Sequence, residues 1–260
     1  MSRKYRMEKM SWQEIKAAIN PNTVVILPVA SIEQHGPHLN IDTDSFNANA
    51  VCFRAAERLE NTLVAPLMPF GTSSNHINFA GTITLKLDTL KAVLKDYVHS
   101  LVHHGFKKIV ILIGHGGNIG ACNAAAEDVR EELKVDSPEV LVGVTYLGDL
   151  IKEGYKCLES GIIWHADEFE TSFSLYLNPD EVDMSKAIDE VPRSPRGLYV
   201  FREELLTSQL VNYGLPMTDQ CTDSGTFGYA TQGTAEKGRI IAEELIENLV
   251  DACRTLEQVK

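Results

Sequence analysis

Residues 108–118 read Lys108-Ile109-Val110-Ile111-Leu112-Ile113-Gly114-His115-Gly116-Gly117-Asn118. After the lysine the run is apolar with no polar alternation, the pattern of a strand covered on both faces. Glycines break it, and Asn118 to Leu133 then carries helical spacing. A doubly buried strand that turns through glycine into a helix is the repeating unit of a parallel α/β sheet. The alternation continues on both sides. Thr23 to Ala30 (TVVILPVA) reads as a second buried strand. The helix after it, Asp44 to Leu59, has Ala48, Val51, Cys52, Ala55 and Leu59 on one face. Leu63 to Pro66 is a short strand. Asp88 is expected to cap a helix through His103, with Leu90, Val93, Leu94, Tyr97 and Leu101 as its apolar stripe and Gly105 as its stop. Val140 to Leu147 is a fourth strand. A helix from Asp167 ends at Leu177 before Asn178-Pro179. Thr234 to Leu256 closes the chain, apolar at Ile240, Ile241, Leu245, Leu249 and Cys253. This order predicts right-handed crossovers and a central, mostly parallel sheet. Residues 180–230 are irregular, with Gly197, Gly214, Gly225 and Gly228, and read as a loop-rich excursion of a single domain spanning residues 1–260.

The 260 residues are 44% hydrophobic and 23% charged, which excludes disorder, collagen and coiled coil. A net charge of −12 disfavours a nucleic-acid partner. No apolar run approaches the roughly 20 residues of a membrane span, and the basic start, Met1 to Met10, has no apolar stretch behind it. Cys52, Cys122, Cys157, Cys221 and Cys253 form no C-x-x-C and read as reduced thiols of a cytoplasmic protein. A chain this long buries roughly 70–75% of its unfolded surface. It needs no metal to hold a core, so any metal would be functional.

In a parallel sheet, ligands gather at the carboxyl ends of strands. After the first strand stand Glu33, Gln34, His35, Gly36, Pro37 and His38, then Asp42 and Asp44. Glu33 and His35, two apart in an extended segment, point the same way. After the central strand comes Gly114 to Asn118, and after the fourth, His165-Ala166-Asp167-Glu168-Phe169-Glu170-Thr171. Imidazoles and carboxylates brought to one edge suit Zn²⁺, Mn²⁺ or Fe²⁺, and clustered carboxylates repel unless a cation lies among them. A dinucleotide fingerprint is unlike this loop, since Ile119 stands where the third glycine belongs. His99, His103 and His104 fall at one helix end, where cations are favoured by the helix dipole.

These motifs resemble those of the creatininase (creatinine amidohydrolase) family. Pro28 to Leu39 with Thr43-Asp44 is similar to its first motif. Asn75-His76 with Phe79-Ala80-Gly81-Thr82 resembles the second, Ala80 replacing a proline. Gly114 to Asn118 resembles the third, and His165 with Glu168, Glu170, Thr171 and Ser172 the fourth, Asp167 replacing a glycine. The resemblance implies a three-layer α/β/α sandwich, a two-metal hydrolytic site and a homo-oligomer, often a hexamer. By motif match Glu33, Asp44 and His115 would hold one metal, and His35 and the bridging Asp44 the second, with Glu168 completing it. His165 matches the acid/base residue, with Glu170 orienting it. Creatininase proper has Tyr-Glu, that glutamate being a ligand, where this chain has Gly116 and Gly117. Its tryptophan clamp falls near Leu147 and Gly161 here. These departures point away from creatinine itself.

The expected function is therefore a two-metal hydrolase, zinc first with manganese or iron accepted by the same ligands, in which a metal-bridging hydroxide attacks the carbonyl of a small cyclic or linear amide. Ser74, Asn75, His76, Gly116, Gly117 and Asn118 are the expected contacts to a small-molecule substrate. The backbone N–H groups of residues 116–118 could support an oxyanion. Two alternatives use the same residues: a C–C hydrolase opening a cyclic diketone such as an oxidised inositol, and a non-enzymatic metal-binding protein.

Overall fold

The computed structural model describes residues 4–193, the backbone of 199–202 and 205–208, and residues 216–259. Strands β1 (Val24–Val29), β2 (Thr62–Val64), β3 (Lys108–Ile113) and β4 (Leu141–Tyr146) form one parallel sheet in the order β2-β1-β3-β4. Every residue of β1, β2 and β3 is buried, in keeping with the apolar runs of β1 and of β3 after Lys108.

Side-chain alternation along these strands divides the core in two. Val25, Leu27, Val29, Ile109, Ile111 and Ile113 face α3 (Leu87–His103) and α4 (Ile119–Leu133). Val24, Ile26, Val110 and Leu112 face the opposite layer of α2 (Thr43–Glu57), α5 (Glu168–Leu177) and α7 (Ala235–Gln258). The fold is thus a three-layer α/β/α sandwich. A short α1 (Trp12–Ala18) precedes β1 and opens with a capping box from Ser11 and Glu14.

Three details differ from the sequence expectations. Asp88 lies in the first turn of α3 and does not cap it; Lys86 holds the cap position. Val93 and Ile240 are exposed, and Val98 and Ile246 take the buried places, because the apolar stripe rotates around the helix at 3.6 residues per turn. Within the 180–230 stretch the chain forms β5 (Asp189–Glu190), the hairpin of β6 (Tyr199–Arg202) and β7 (Leu205–Ser208), α6 (Thr218–Cys221) and β8 (Gly228–Tyr229), with β5 and β8 pairing antiparallel. Gly197 and Gly214 lie outside the described residues. No helix among the described residues is long and apolar enough to cross a membrane.

Helices α5 and α7 pack closely at Gly238, where a Cβ would lie 1.8 Å from the Ser172 carbonyl oxygen. Because that oxygen is backbone, the helices must separate to admit a methyl group. Gly238→Ala is expected to cost about 3 kcal/mol of stability despite its better helix propensity, read as a lowered midpoint in urea unfolding.

Candidate metal centre

The sheet order places the site. The chain leaves β1 through α2 on one face and leaves β3 through α4 on the other, so the carboxyl ends of these paired neighbours (Val29 opposite Ile113) form the switch point where a crevice opens. Glu33 and His35 follow β1, Asp44 begins α2, and His115 follows β3. The loop after β2 crosses this edge, tied by Ala30 N donating to the Met68 carbonyl and Leu85 N to that of Gly71. It delivers His76. The segment before α5 delivers His165 and Glu170.

These side chains converge. His35 Nε2 lies 3.2 Å from Asp44 Oδ1 and 3.7 Å from Glu170 Oε2. His115 Nδ1 lies 3.1 Å from Asp44 Oδ2 and 3.3 Å from Glu33 Oε1. His165 Nδ1 is 3.7 Å from Glu33 Oε1 and 3.8 Å from Glu170 Oε2. His76 Nε2 is 3.7 Å from Glu33 Oε1. Three overlapping groups emerge with metal-ligand spacing: Glu33, His35 and Asp44; His35, His165 and Glu170; and Glu33, His76 and His165.

The far nitrogens are fixed by backbone carbonyls, which can only accept. His35 Nδ1 donates to Glu33 O (3.0 Å), His115 Nε2 to Thr72 O (3.2 Å) and His165 Nε2 to Gln34 O (2.7 Å). Each imidazole therefore turns its other nitrogen toward the carboxylates, where either a proton or a metal ion can sit, the arrangement that orients metal-ligating histidines. Asp44 Oδ2 is buried with no well-aligned hydrogen bond and faces an imidazole, His115 Nδ1 at 3.1 Å. A carboxylate oxygen so placed costs stability unless a cation meets it.

The electrostatics agree. Burial opposes charge on His35, yet Asp44 and Glu170 push its pKa up to about 10. Burial also opposes charge on His115, and Glu33 and Asp44 bring it to about 9. Burial pushes Glu170 up to about 8, with Asp44 adding to the effect and His35 opposing it. Asp44 is held well below the usual range by His35 and His115, against its burial. Protons on these groups take the place that cations would fill. By contrast, burial takes His76 down to about 4 and His165 well below its ordinary value. The donor set, the poorly bonded Asp44 oxygen and the retained positive charge all fit divalent metal ions.

The residues expected from sequence divide clearly. Glu33, His35, Asp44, His115, His165 and Glu170 come together. Glu168 does not: its carboxylate is turned away, 2.5 Å from Lys237 Nζ and accepting from the Glu159 and Ser160 amides. Two residues later in α5 the chain has turned about 200°, so Glu170 reaches the site and Glu168 cannot. Position 117 is closed to a side chain, since a Cβ there would lie 2.4 Å from both His115 Nε2 and the Thr72 carbonyl. Asn75, His76, Gly116 and Gly117 line the cavity. Ser74 is exposed and off its wall. Asn118 is also off the wall; its side chain bonds the Ala30 carbonyl and the Thr72 amide, clasping the β2 loop to the sheet. Its own N–H donates to His115 O, so it offers nothing to an oxyanion.

Several site residues escaped the sequence reading. Gln34 Oε1 accepts from Gly36 N, so its amide nitrogen donates to Gly225 O and His76 Nδ1. Thr218 also meets His76 Nδ1 (3.1 Å), and Phe227 pairs its backbone with His165. Gln34 sat inside a recognised motif. Thr218 and Phe227 return from the irregular stretch with no local signal.

The cavity over this cluster has a volume of about 510 Å³. The sequence model of a family described as creatininase, creatinine amidohydrolase, matches residues 8–253. A creatinine amidohydrolase from Pseudomonas putida is 29% identical, with 98% of each chain covered. A mycofactocin precursor peptide peptidase from Mycobacterium ulcerans is 30% identical over 87% of this chain and 82% of its own. A 3-dehydro-scyllo-inosose hydrolase from Thermotoga maritima is 26% identical over 96% of this chain and 82% of its own. A crystal structure of creatinine amidohydrolase superimposes with a TM-score of 0.86 at 25% identity, with both chains fully covered. A manganese form of creatininase gives 0.85 at 26%, covering 99% of this chain and all of the other.

Proposed function

We propose, from the premise that the chain belongs to the creatininase family, that it hydrolyses the C–N bond of an amide with two divalent metal ions. Glu33, Asp44 and His115 would hold one ion, and His35, Asp44 and Glu170 the other. The two oxygens of Asp44, one toward His35 and one toward His115, carry this reading. When bound, such ions lower the pKa of water toward neutrality and polarise a carbonyl.

The chain's own residues do the rest. His165 Nδ1 faces the cluster, and burial keeps the ring neutral, so it can take a proton there and release it to the leaving nitrogen. The Gln34 carbonyl fixes its tautomer. Gln34 likewise makes His76 Nδ1 an acceptor, so Nε2 carries the proton and points at Glu33. The homo-oligomer and the cytoplasmic setting expected from sequence belong to the same proposal.

Elemental analysis of the purified protein, then turnover of an amide panel before and after dialysis against dipicolinate, tests the proposal. Metal near two equivalents, loss of turnover on dialysis and its return with zinc or manganese are expected. Turnover that survives complete metal removal would sink it.

Metal binding should also release protons. At pH 7 His35 (about 10), His115 (about 9) and Glu170 (about 8) are protonated without metal. Each folded-state pKa is raised, so these groups stabilise the metal-free fold below their unfolded values, and that contribution is lost as pH rises through 8 to 10. Metal competes with the same protons, so affinity rises over that window and about three protons leave per protein at pH 7. Calorimetry in buffers of different ionisation enthalpy counts them.

A further inference from the structure

One wall of the cavity has no part in holding metal. It is formed by Tyr146, Tyr155, Ile163, Trp164 and Phe169, with the half-exposed Ile119 at its edge. We infer that this wall is a subsite for one flat, uncharged aromatic group carried by the substrate amide, with Trp164 as its specificity-determining residue. The inference rests on the amide-hydrolase reading above and names its substrate class.

Three observations carry it. First, a cavity of about 510 Å³ falls in the range of sites for drug-sized ligands, roughly 300–1,000 Å³, and so leaves room beyond a small amide.

Second, the rings are set in place before any ligand arrives. Trp164 packs edge-on against Phe227 at 6.0 Å, and Phe227 against His165 at 6.4 Å. Tyr155 packs edge-on against Phe169 at 5.6 Å, and Phe169 stacks on Phe173 of α5. The backbone of Trp164 is fixed by its N–H donating to Asp167 Oδ2 at 2.6 Å, while Asp167 Oδ1 caps α5 through Glu170 N. Asp167 therefore ties the tryptophan to the helix that carries Glu170. The expected clamp positions supply no ring: Leu147 is buried in the core and Gly161 has no side chain.

Third, among the described residues lining the cavity none is lysine or arginine. A phosphate or carboxylate on the distal part of a substrate would meet no counter-charge there, whereas an aromatic face would meet ring edges and faces.

Two readouts test the subsite. The chain has two tryptophans, and Trp12 is exposed on α1, so Trp12→Phe leaves Trp164 as the sole indole reporter. Titrating the metal-loaded variant with benzyl alcohol should change Trp164 fluorescence saturably, with affinity about threefold to tenfold above that for cyclohexylmethanol, the margin expected for ring–ring contact beyond area alone. In kinetics, the ratio of kcat/KM for acetanilide over acetamide should fall about tenfold in Trp164→Ala, mainly through KM, and recover in Trp164→Phe. Equal binding of the two alcohols, or an unchanged ratio in a folded Trp164→Ala, would overturn the inference. Failure of the two-metal reading looks different: neither amide is turned over, while the fluorescence titration still reports the wall.

Discussion

If Asp44 joins the two proposed metal sites, Asp44→Asn is expected to release both ions and lower turnover by well over a hundredfold, while the protein stays folded. An outer-sphere partner of a metal site costs about 10- to 100-fold when removed. Asp44 should exceed that because its two oxygens face two different histidines, 3.2 Å from His35 and 3.1 Å from His115. Asparagine keeps the shape and one acceptor oxygen, but it removes the charge and puts an NH₂ group against an imidazole lone pair or a cation. Stability should fall as well, because in the metal-free wild type Asp44 is held ionised between His35 and His115, and neutralising it leaves two buried imidazoliums without their shared counter-charge. Inductively coupled plasma analysis and thermal melting separate the two effects. Retention of two equivalents of metal by Asp44→Asn would refute the bridging role.

The layers of the sandwich were legible because both core strands carry unbroken apolar runs, which only a sheet covered on two faces accommodates. The site was legible for a related reason. In such a sheet the strand ends converge by topology, so Glu33, Asp44 and His115 could be placed together without any knowledge of contacts. What the sequence could not supply was rotation. Glu168 and Glu170 are two residues apart on one helix, and a pattern of residue types does not say which of them faces the sheet edge. The same holds for Val93 and Val98 on α3. Long-range returns were also hidden: Thr218 meets His76 across 142 positions, a contact determined by the path of the chain and not by any local signal. Asn118 misled for a third reason. An amide beside a glycine turn suits a substrate or a backbone carbonyl equally well, and here the Ala30 carbonyl and the Thr72 amide claim it.

The two glutamates of α5 should give opposite phenotypes. Glu170→Gln is expected to lose the metal held with His35 and about a hundredfold or more of turnover, because its Oε2 lies between His35 Nε2 at 3.7 Å and His165 Nδ1 at 3.8 Å. Its fold should hold or gain, since burial already drives the carboxyl toward its neutral form, with a pKa near 8, and glutamine is neutral by construction. The Ala166 amide, which donates to Oε2 at 2.5 Å, finds a carbonyl oxygen in its place. Glu168→Gln should do the reverse. That side chain is fully buried, faces Lys237 at 2.5 Å and accepts from two loop amides. Neutralising it leaves a lysine that is only 13% exposed without its main counter-charge and loosens the attachment of residues 159–160 and α7 to α5. Breaking a buried pair by removing one partner costs about 3–5 kcal/mol. Glu159 stands 3.6 Å from the same ammonium, so the loss should fall at or below the lower end of that range. Metal content per folded molecule should stay at the wild-type value. Urea unfolding and metal analysis on both variants decide the matter: metal lost from Glu168→Gln and kept by Glu170→Gln would return the second site to Glu168 and require α5 to turn by about half a revolution.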